Sequence, residues 1–115
     1  MGITTQDQQL DALFTALSDR TRRDIVARLG TGEATVKELA EPYAMSMQAV
    51  SQHIRVLERS GLISQGRHRQ TRPCRLEPAA LEAALSWIEE SRRTWSDRMD
   101  RLETHLARLQ ERENQ

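Results

Sequence analysis

The last third of the chain, from Ala79 to Gln115, contains neither glycine nor proline. Along it Leu81, Leu85, Ile88, Arg92, Trp95, Met99, Leu102, Leu106 and Leu109 recur at alternating gaps of four and three residues. That is a heptad seam with one polar member, Arg92. Glu77-Pro78 opens the stretch, and proline suits the first position of a helix, where an N–H would have no intrahelical partner anyway. At 1.5 Å per residue such a helix spans roughly 50 Å, more than a small domain covers. A helix lying on its own domain accounts for the first half and leaves Leu102, Leu106 and Leu109 exposed. The distal half is therefore expected to pack on a partner subunit. Composition points the same way: with 115 residues, 37% hydrophobic and 3% aromatic, the chain is lean for a monomer, and a chain this short buries limited surface alone.

The segment from Ala44 to Ile63, A-M-S-M-Q-A-V-S-Q-H-I-R-V-L-E-R-S-G-L-I, predicts a second kind of helix. Ser46 is a good N-cap, Val50, Ile54 and Leu57 form one apolar stripe, and Ser60-Gly61 supplies a C-terminal stop. The opposite face carries Met47, Gln48, Ser51, Gln52 and Arg55, with Glu58 the only acid, near the far end. Solvated faces more often carry Glu and Lys. Gln and Arg can pair bidentately with purine edges in the DNA major groove, so this reads as a recognition helix; the plain alternative is an ordinary amphipathic helix.

Upstream, Leu10, Leu13, Phe14 and Leu17 give a short amphipathic first helix. Ser18-Asp19 supplies a cap for a second, Arg20 to Leu29, with Ile25, Val26 and Leu29 inward. Arg20, Arg22 and Arg23 crowd its start, the wrong end for the helix dipole, and Asp19 and Asp24 are the expected offset rather than a phosphate. Thr35-Val36-Lys37-Glu38 is a capping box for a third helix running from Val36 to about Tyr43, which Pro42 ends. A short helix, a tight turn and a longer helix with a polar outer face outline a helix-turn-helix. After Gly61, residues 62–69 and 72–76 predict a hairpin whose tip, Gly66-Arg67-His68-Arg69-Gln70-Thr71-Arg72, is basic. A basic hairpin directly after a recognition helix is a wing placed to touch phosphate; the alternative is a solvated tip.

The net charge is zero, but its distribution is uneven. Residues 1–45 carry five Lys/Arg and seven Asp/Glu, residues 46–76 six arginines and one acid, and residues 77–115 six arginines and nine acids. The positive block falls on the recognition helix and wing, as a DNA footprint requires. Cys74 is the single cysteine, so no intramolecular disulfide forms. The N-terminus lacks the charged and apolar regions of a signal peptide and no run is long enough to span a membrane, so a cytoplasmic protein is expected. No Gly-rich phosphate loop, nucleophile–histidine pair or carboxylate pair suggests an enzyme, and no cofactor site is read.

From about Leu10 to Leu109 the chain resembles the arsenical-resistance-repressor type (ArsR-type) of bacterial winged-helix transcription regulators. The matching segments are L-S-D-R-T-R-R-D-I-V-A-R-L (17–29), T-V-K-E-L-A (35–40), M-S-M-Q-A-V-S-Q-H-I-R-V-L-E-R-S-G-L-I (45–63) and R-L-E-P (75–78). The third is the most specific. The resemblance implies one mainly α winged helix-turn-helix domain over residues 1–115, with a DNA-binding core to 76, a wing at about 62–76 and a long C-terminal dimerisation helix from 77. It also implies a homodimer built from the first and last helices, operator DNA as partner, and usually repression. By position, Ser46, Met47, Gln48, Ser51, Gln52 and Arg55 would face the groove, with Arg67, His68, Arg69 and Arg72 on the wing. Leu10, Leu13, Phe14, Leu81, Leu85, Ile88, Trp95, Met99, Leu102 and Leu106 would form the dimer interface. Metal-sensing members carry cysteines in the first helix of the helix-turn-helix, or a His/Asp set on the last helix. Here the first site reads V-K-E-L-A, and Glu103-x-His105 is at most half of the second. No metal is expected; Cys74, His53, His68 and His105 lie on three different elements. Cys74 reads as a small strand residue, with a thiol sensor as the outside alternative. A winged-helix module that binds another helical protein is the competing function.

Overall fold

Five helices and a hairpin follow one another in the computed structural model of the chain, which describes residues 4–66 and 72–114. They are α1 (Thr5–Leu17), α2 (Arg20–Leu29), α3 (Val36–Ala40), α4 (Met47–Arg59), β1 (Ile63–Gln65), β2 (Cys74–Leu76) and α5 (Pro78–Glu113). Packing divides the chain into two units, residues 1–84 and residues 85–115. The division falls two turns inside α5 rather than at Glu77, because Ala80 and Ala84 are buried in the core of the first unit.

Helices α1 to α4 each start on a side-chain cap. Thr4 and Asp7 form a capping box on α1, which lies ahead of the apolar stripe and so is not marked by it. Asp19 accepts from the Arg22 N–H at 3.0 Å, Thr35 and Glu38 form the expected box on α3, and Ser46 accepts from the Ala49 N–H at 3.1 Å. Such caps stabilise a helix by about 1 kcal/mol each. Helix α3 ends at Ala40, three residues short of expectation; the backbone N–H of Tyr43 turns back to the Ala40 carbonyl instead.

At the start of α2 Asp19 offsets Arg22 electrostatically, as expected, and two of the arginines also find partners on the helix before it. The Arg22 guanidinium donates to the carbonyls of Ala16 at 2.7 Å and Thr15 at 3.1 Å, and Arg23 donates to that of Leu17 at 2.8 Å. These are carbonyls at the C-terminal end of α1, where the negative end of its dipole lies; that of Thr15 also accepts from Ser18. The cations sit at the wrong end of their own helix because they cap the helix before it.

The core gathers Leu13 and Ala16 from α1, Ile25 and Leu29 from α2, Leu39 from α3, Val50, Ile54 and Leu57 from α4, Leu62, Ile63 and Cys74 around the hairpin, and Ala80 and Ala84. Leu13 is fully buried there. Its expected place in a dimer interface is thereby corrected: it has no surface left to offer a partner. Leu10, Phe14 and Leu81 pack half-buried against the same core.

Helix α4 closes with a Schellman arrangement: Leu62 N–H to Leu57 O at 3.1 Å and Gly61 N–H to Glu58 O at 3.0 Å. Gly61 sits at φ +85°, where a Cβ would be strained. The chain then enters the antiparallel hairpin, pairing Ile63 with Leu76, Ser64 with Arg75 and Gln65 with Cys74. Ala34 adds a bridge on the other side of β2, exchanging both backbone bonds with Cys74 at 2.7 and 3.2 Å. That bridge, for which the sequence carries no local signal, ties the approach to α3 to the base of the wing.

In the second unit the distal part of α5 continues as helix to Glu113. Leu85, Ile88, Trp95, Met99, Leu102, Leu106 and Leu109 are all exposed along it. Among the described residues no helix is long and apolar enough to cross a membrane.

Candidate nucleic-acid interface

A five-residue helix cannot hold its own shape, so α3 must be held by its neighbours. Arg28 of α2 does this. Its guanidinium donates to the carbonyls of Leu39 at 2.8 Å and Glu38 at 3.0 Å, and it stands 5.7 Å from the centre of the Tyr43 ring. The Tyr43 hydroxyl in turn donates to Asp24; burial and that carboxylate raise its pKa above the ordinary value. Cation, ring and acid thus bind the turn between α3 and α4 to α2.

Helix α4 is anchored by Val50, Ile54 and Leu57, each at most 1% exposed. Burying each stabilises the unit by about 1.5–3 kcal/mol, and the anchoring fixes which way the opposite face points. On that face Ser46, Met47, Gln48, Gln52 and Arg55 are exposed and Ser51 is half-buried. The Ser46 oxygen is already engaged as the helix cap. Arg59 is exposed too, completing a row of Gln48, Gln52, Arg55 and Arg59 at gaps of four, three and four. Arg59 is an addition to the expected set, although the same spacing marks it. Glu58, the one acid of this helix, is half-buried and turned towards Cys74, whose thiol it disfavours ionising. Among the described residues, no hydrogen bond or ion pair engages the side chains of Gln48, Gln52, Arg55 or Arg59. Four donor-rich groups therefore stand free on one rigid face.

The base of α4 is braced by a polar cluster. His53 Nδ1 lies 3.3 Å from an Arg22 guanidinium nitrogen and 3.8 Å from Asp19 Oδ2. The backbone N–H of Arg22 holds the Asp19 carboxyl below its usual range, with the nearby His53 and Arg22 adding to the effect against a smaller opposing push from burial. His53 is half-buried in this cluster.

Of the wing residues, Arg72 is exposed next to Pro73; Arg67, His68 and Arg69 lie outside the described residues. The hairpin base is closed by the Ser64 hydroxyl donating to Glu77, which lowers the Glu77 pKa, with Arg75 3.5 Å away. Cys74 is fully buried, and desolvation pushes its thiol up to about 11. A thiol of that pKa is almost wholly protonated at neutral pH and is a poor nucleophile or metal ligand. Among the described residues no three of His, Cys, Asp and Glu converge as a metal site.

The helix-turn-helix domain family matches the chain over residues 17–65. The HTH-type transcriptional regulator Rv2034 of Mycobacterium tuberculosis is 41% identical over 73 residues, 64% of this chain and 68% of that protein. The transcriptional repressor SdpR of Bacillus subtilis is 30% identical over 79 residues, 69% of this chain and 88% of that protein. The crystal structure of an ArsR family transcriptional regulator, RHA00566, superposes with a TM-score of 0.73 at 39% identity, covering 76% of this chain and 97% of that one. The chain belongs to the ArsR family of transcriptional regulators. Its winged helix-turn-helix is that of the family, and in this ArsR-family chain the first helix of the motif, Val36–Ala40, carries no cysteine.

Proposed function

We propose that this ArsR-family regulator is a homodimeric repressor that reads an inverted-repeat operator in the cytoplasm. The observation that carries the reading is the outer face of α4. Gln48, Gln52, Arg55 and Arg59 are exposed, free of other described residues and without a facing acid. Gln and Arg discriminate bases because their paired donors and acceptors match purine edges in the major groove. Ser46, Met47 and Ser51 flank them. Arg67, Arg69 and Arg72, with His68, serve phosphate, which positions the protein without specifying sequence. The exposed stripe of α5 from Leu85 to Leu106 supports dimerisation. The function is binding rather than catalysis, and no metal controls it: operator affinity is expected to be the same with chelator, zinc, cadmium or arsenite. A stoichiometric metal that shifts affinity tenfold would mean that a site exists after all.

Selection of bound duplexes from a random pool tests the proposal. The expected product is an inverted repeat with half-sites about one DNA turn, or a multiple of it, apart. A pool that shows no enrichment, with no salt-dependent duplex binding, would leave the exposed α5 stripe as the working surface of a protein-interaction module.

A further inference from the structure

Helix α4 exposes one side chain that its hydrogen-bonding row does not explain. Met47, the first residue of the helix, is 49% exposed. Among the described residues, every other large apolar side chain left exposed lies on α5. Met45, two residues earlier, packs against the core, so the turn into α4 places one methionine inside and the next outside. A single apolar residue on a protein surface is ordinary; the place of this one is not. Met47 follows the Ser46 cap, adjoins Gln48, and lies one turn before Ser51 and two before Arg55. Residues at the N-terminal end of a recognition helix are the ones that reach base edges.

The chemistry of a thioether narrows what it can read. The major groove offers acceptors on guanine, adenine and thymine, amino donors on adenine and cytosine, and one apolar group, the thymine 5-methyl. A methionine side chain has no N–H or O–H, and its sulfur accepts only weakly. It gains nothing from the acceptors and little from the amino groups. Against the phosphate backbone it would offer an anion no donor at all. Contact with the methyl removes apolar surface of both partners from water, which is favourable. The side chain is unbranched and has three rotatable bonds, so it can follow a methyl whose position is set by the docking of the whole helix. Hydrogen bonds from Gln48 and Gln52 cannot report a methyl, so the two kinds of contact read different features of the same site.

We propose that Met47 is a specificity-determining residue that reads the 5-methyl group of a thymine in each operator half-site. The proposal rests on the operator reading above and adds a base to it. The test uses the duplex selected from the random pool, with each thymine of the half-sites replaced in turn by deoxyuridine, which removes the methyl and leaves every hydrogen-bonding group in place. At one position per half-site the replacement is expected to weaken wild-type binding by roughly fourfold for each methyl lost. Met47→Ala is expected to weaken binding to the thymine duplex by a similar factor or more, and to bind the thymine and deoxyuridine duplexes alike. Met47→Leu, still apolar, is expected to keep the discrimination. Met47 is exposed and alanine favours helix, so Met47→Ala should melt as the wild type does; the wild-type measurements do not depend on the variant. A wild-type chain that binds the selected duplex and ignores every deoxyuridine overturns the proposal and leaves the operator reading standing. Discrimination that persists unchanged in Met47→Ala overturns it too, because another group then senses the methyl. A chain that enriches no duplex from the pool overturns the operator reading and this proposal together.

Discussion

Helix α4 and the distal part of α5 are both amphipathic, and they use the two faces in opposite ways. Helix α4 turns its apolar stripe inward, with Val50, Ile54 and Leu57 buried, and leaves amides and guanidinium groups outside. Beyond Ala84, α5 leaves its apolar stripe exposed, and its charged residues form the flanks. A helix whose apolar face is satisfied within its own unit is fixed in orientation, and its polar face can then be specific. A helix whose apolar face is unsatisfied has its strongest interaction still to make. One surface suits an anionic, hydrogen-bonding partner, and the other suits a second apolar helix.

Breaking the α5 side gives the largest expected effect. Leu102→Glu with Leu106→Glu should yield monomers and lower operator affinity by roughly 10²–10⁴-fold, because each half-site must then be bound without the linkage to the other. Sedimentation and duplex binding at matched concentrations check both parts. If the double variant remains a dimer, the stripe is not the interface.

The two apolar stripes should also differ in how their disruption is felt. Ile54→Ala removes a side chain packed inside one unit and should cost about 2–5 kcal/mol of stability at every protein concentration. Leu106→Ala should cost less at low concentration and show its effect through a concentration-dependent melting temperature. Equal, concentration-independent losses would erase the contrast.

On the α4 side, Gln52→Ala and Arg55→Ala should each cost roughly 1–3 kcal/mol per base pairing on the selected operator and less on random duplex. Arg69→Ala should weaken both duplexes alike and flatten the salt dependence by a log–log slope of about one for each phosphate it no longer neutralises. Two copies in a dimer can double each effect. Specificity that falls with Arg69→Ala and survives Gln52→Ala and Arg55→Ala would reverse the roles of wing and helix.

The smallest effect concerns the cluster beneath α4. The Asp19 pKa is lowered in the folded chain, so its ionised form is favoured by folding. Its contribution is present above the unfolded carboxylate range, about pH 4, and is lost as pH falls through the lower folded value. Asp19→Asn keeps a capping oxygen and removes the titration. Its melting temperature should therefore fall less steeply than that of the wild type as pH drops below about 4. Parallel curves would mean that Asp19 has no part in acid stability.

Much of the frame is legible in the residues themselves because it depends on local chemistry. The span of α2, the Thr35–Glu38 box and Ser46 as the start of α4 follow from side chains that satisfy backbone groups a few residues away, Gly61 as its stop from a backbone free to turn left-handed, and Pro78 at the first position of α5 from a residue with no N–H to leave unpaired. The polar row Gln48, Gln52 and Arg55 follows from helical spacing alone, and Arg59 extends it by the same rule. The fold class and the family are within reach of the sequence for that reason.

Long-range partners decided the rest. Nothing local says that Arg22 and Arg23 cap the end of α1, that Arg28 holds the carbonyls of α3 against Tyr43, or that Ala34 bridges to Cys74. Leu13 and Leu102 are both leucines on helical stripes, yet one is fully buried and the other is about half exposed. Periodicity records which face of a helix is apolar. Whether that face meets its own core or awaits another chain depends on where the helix lies in three dimensions, because burial belongs to the neighbours a residue finds.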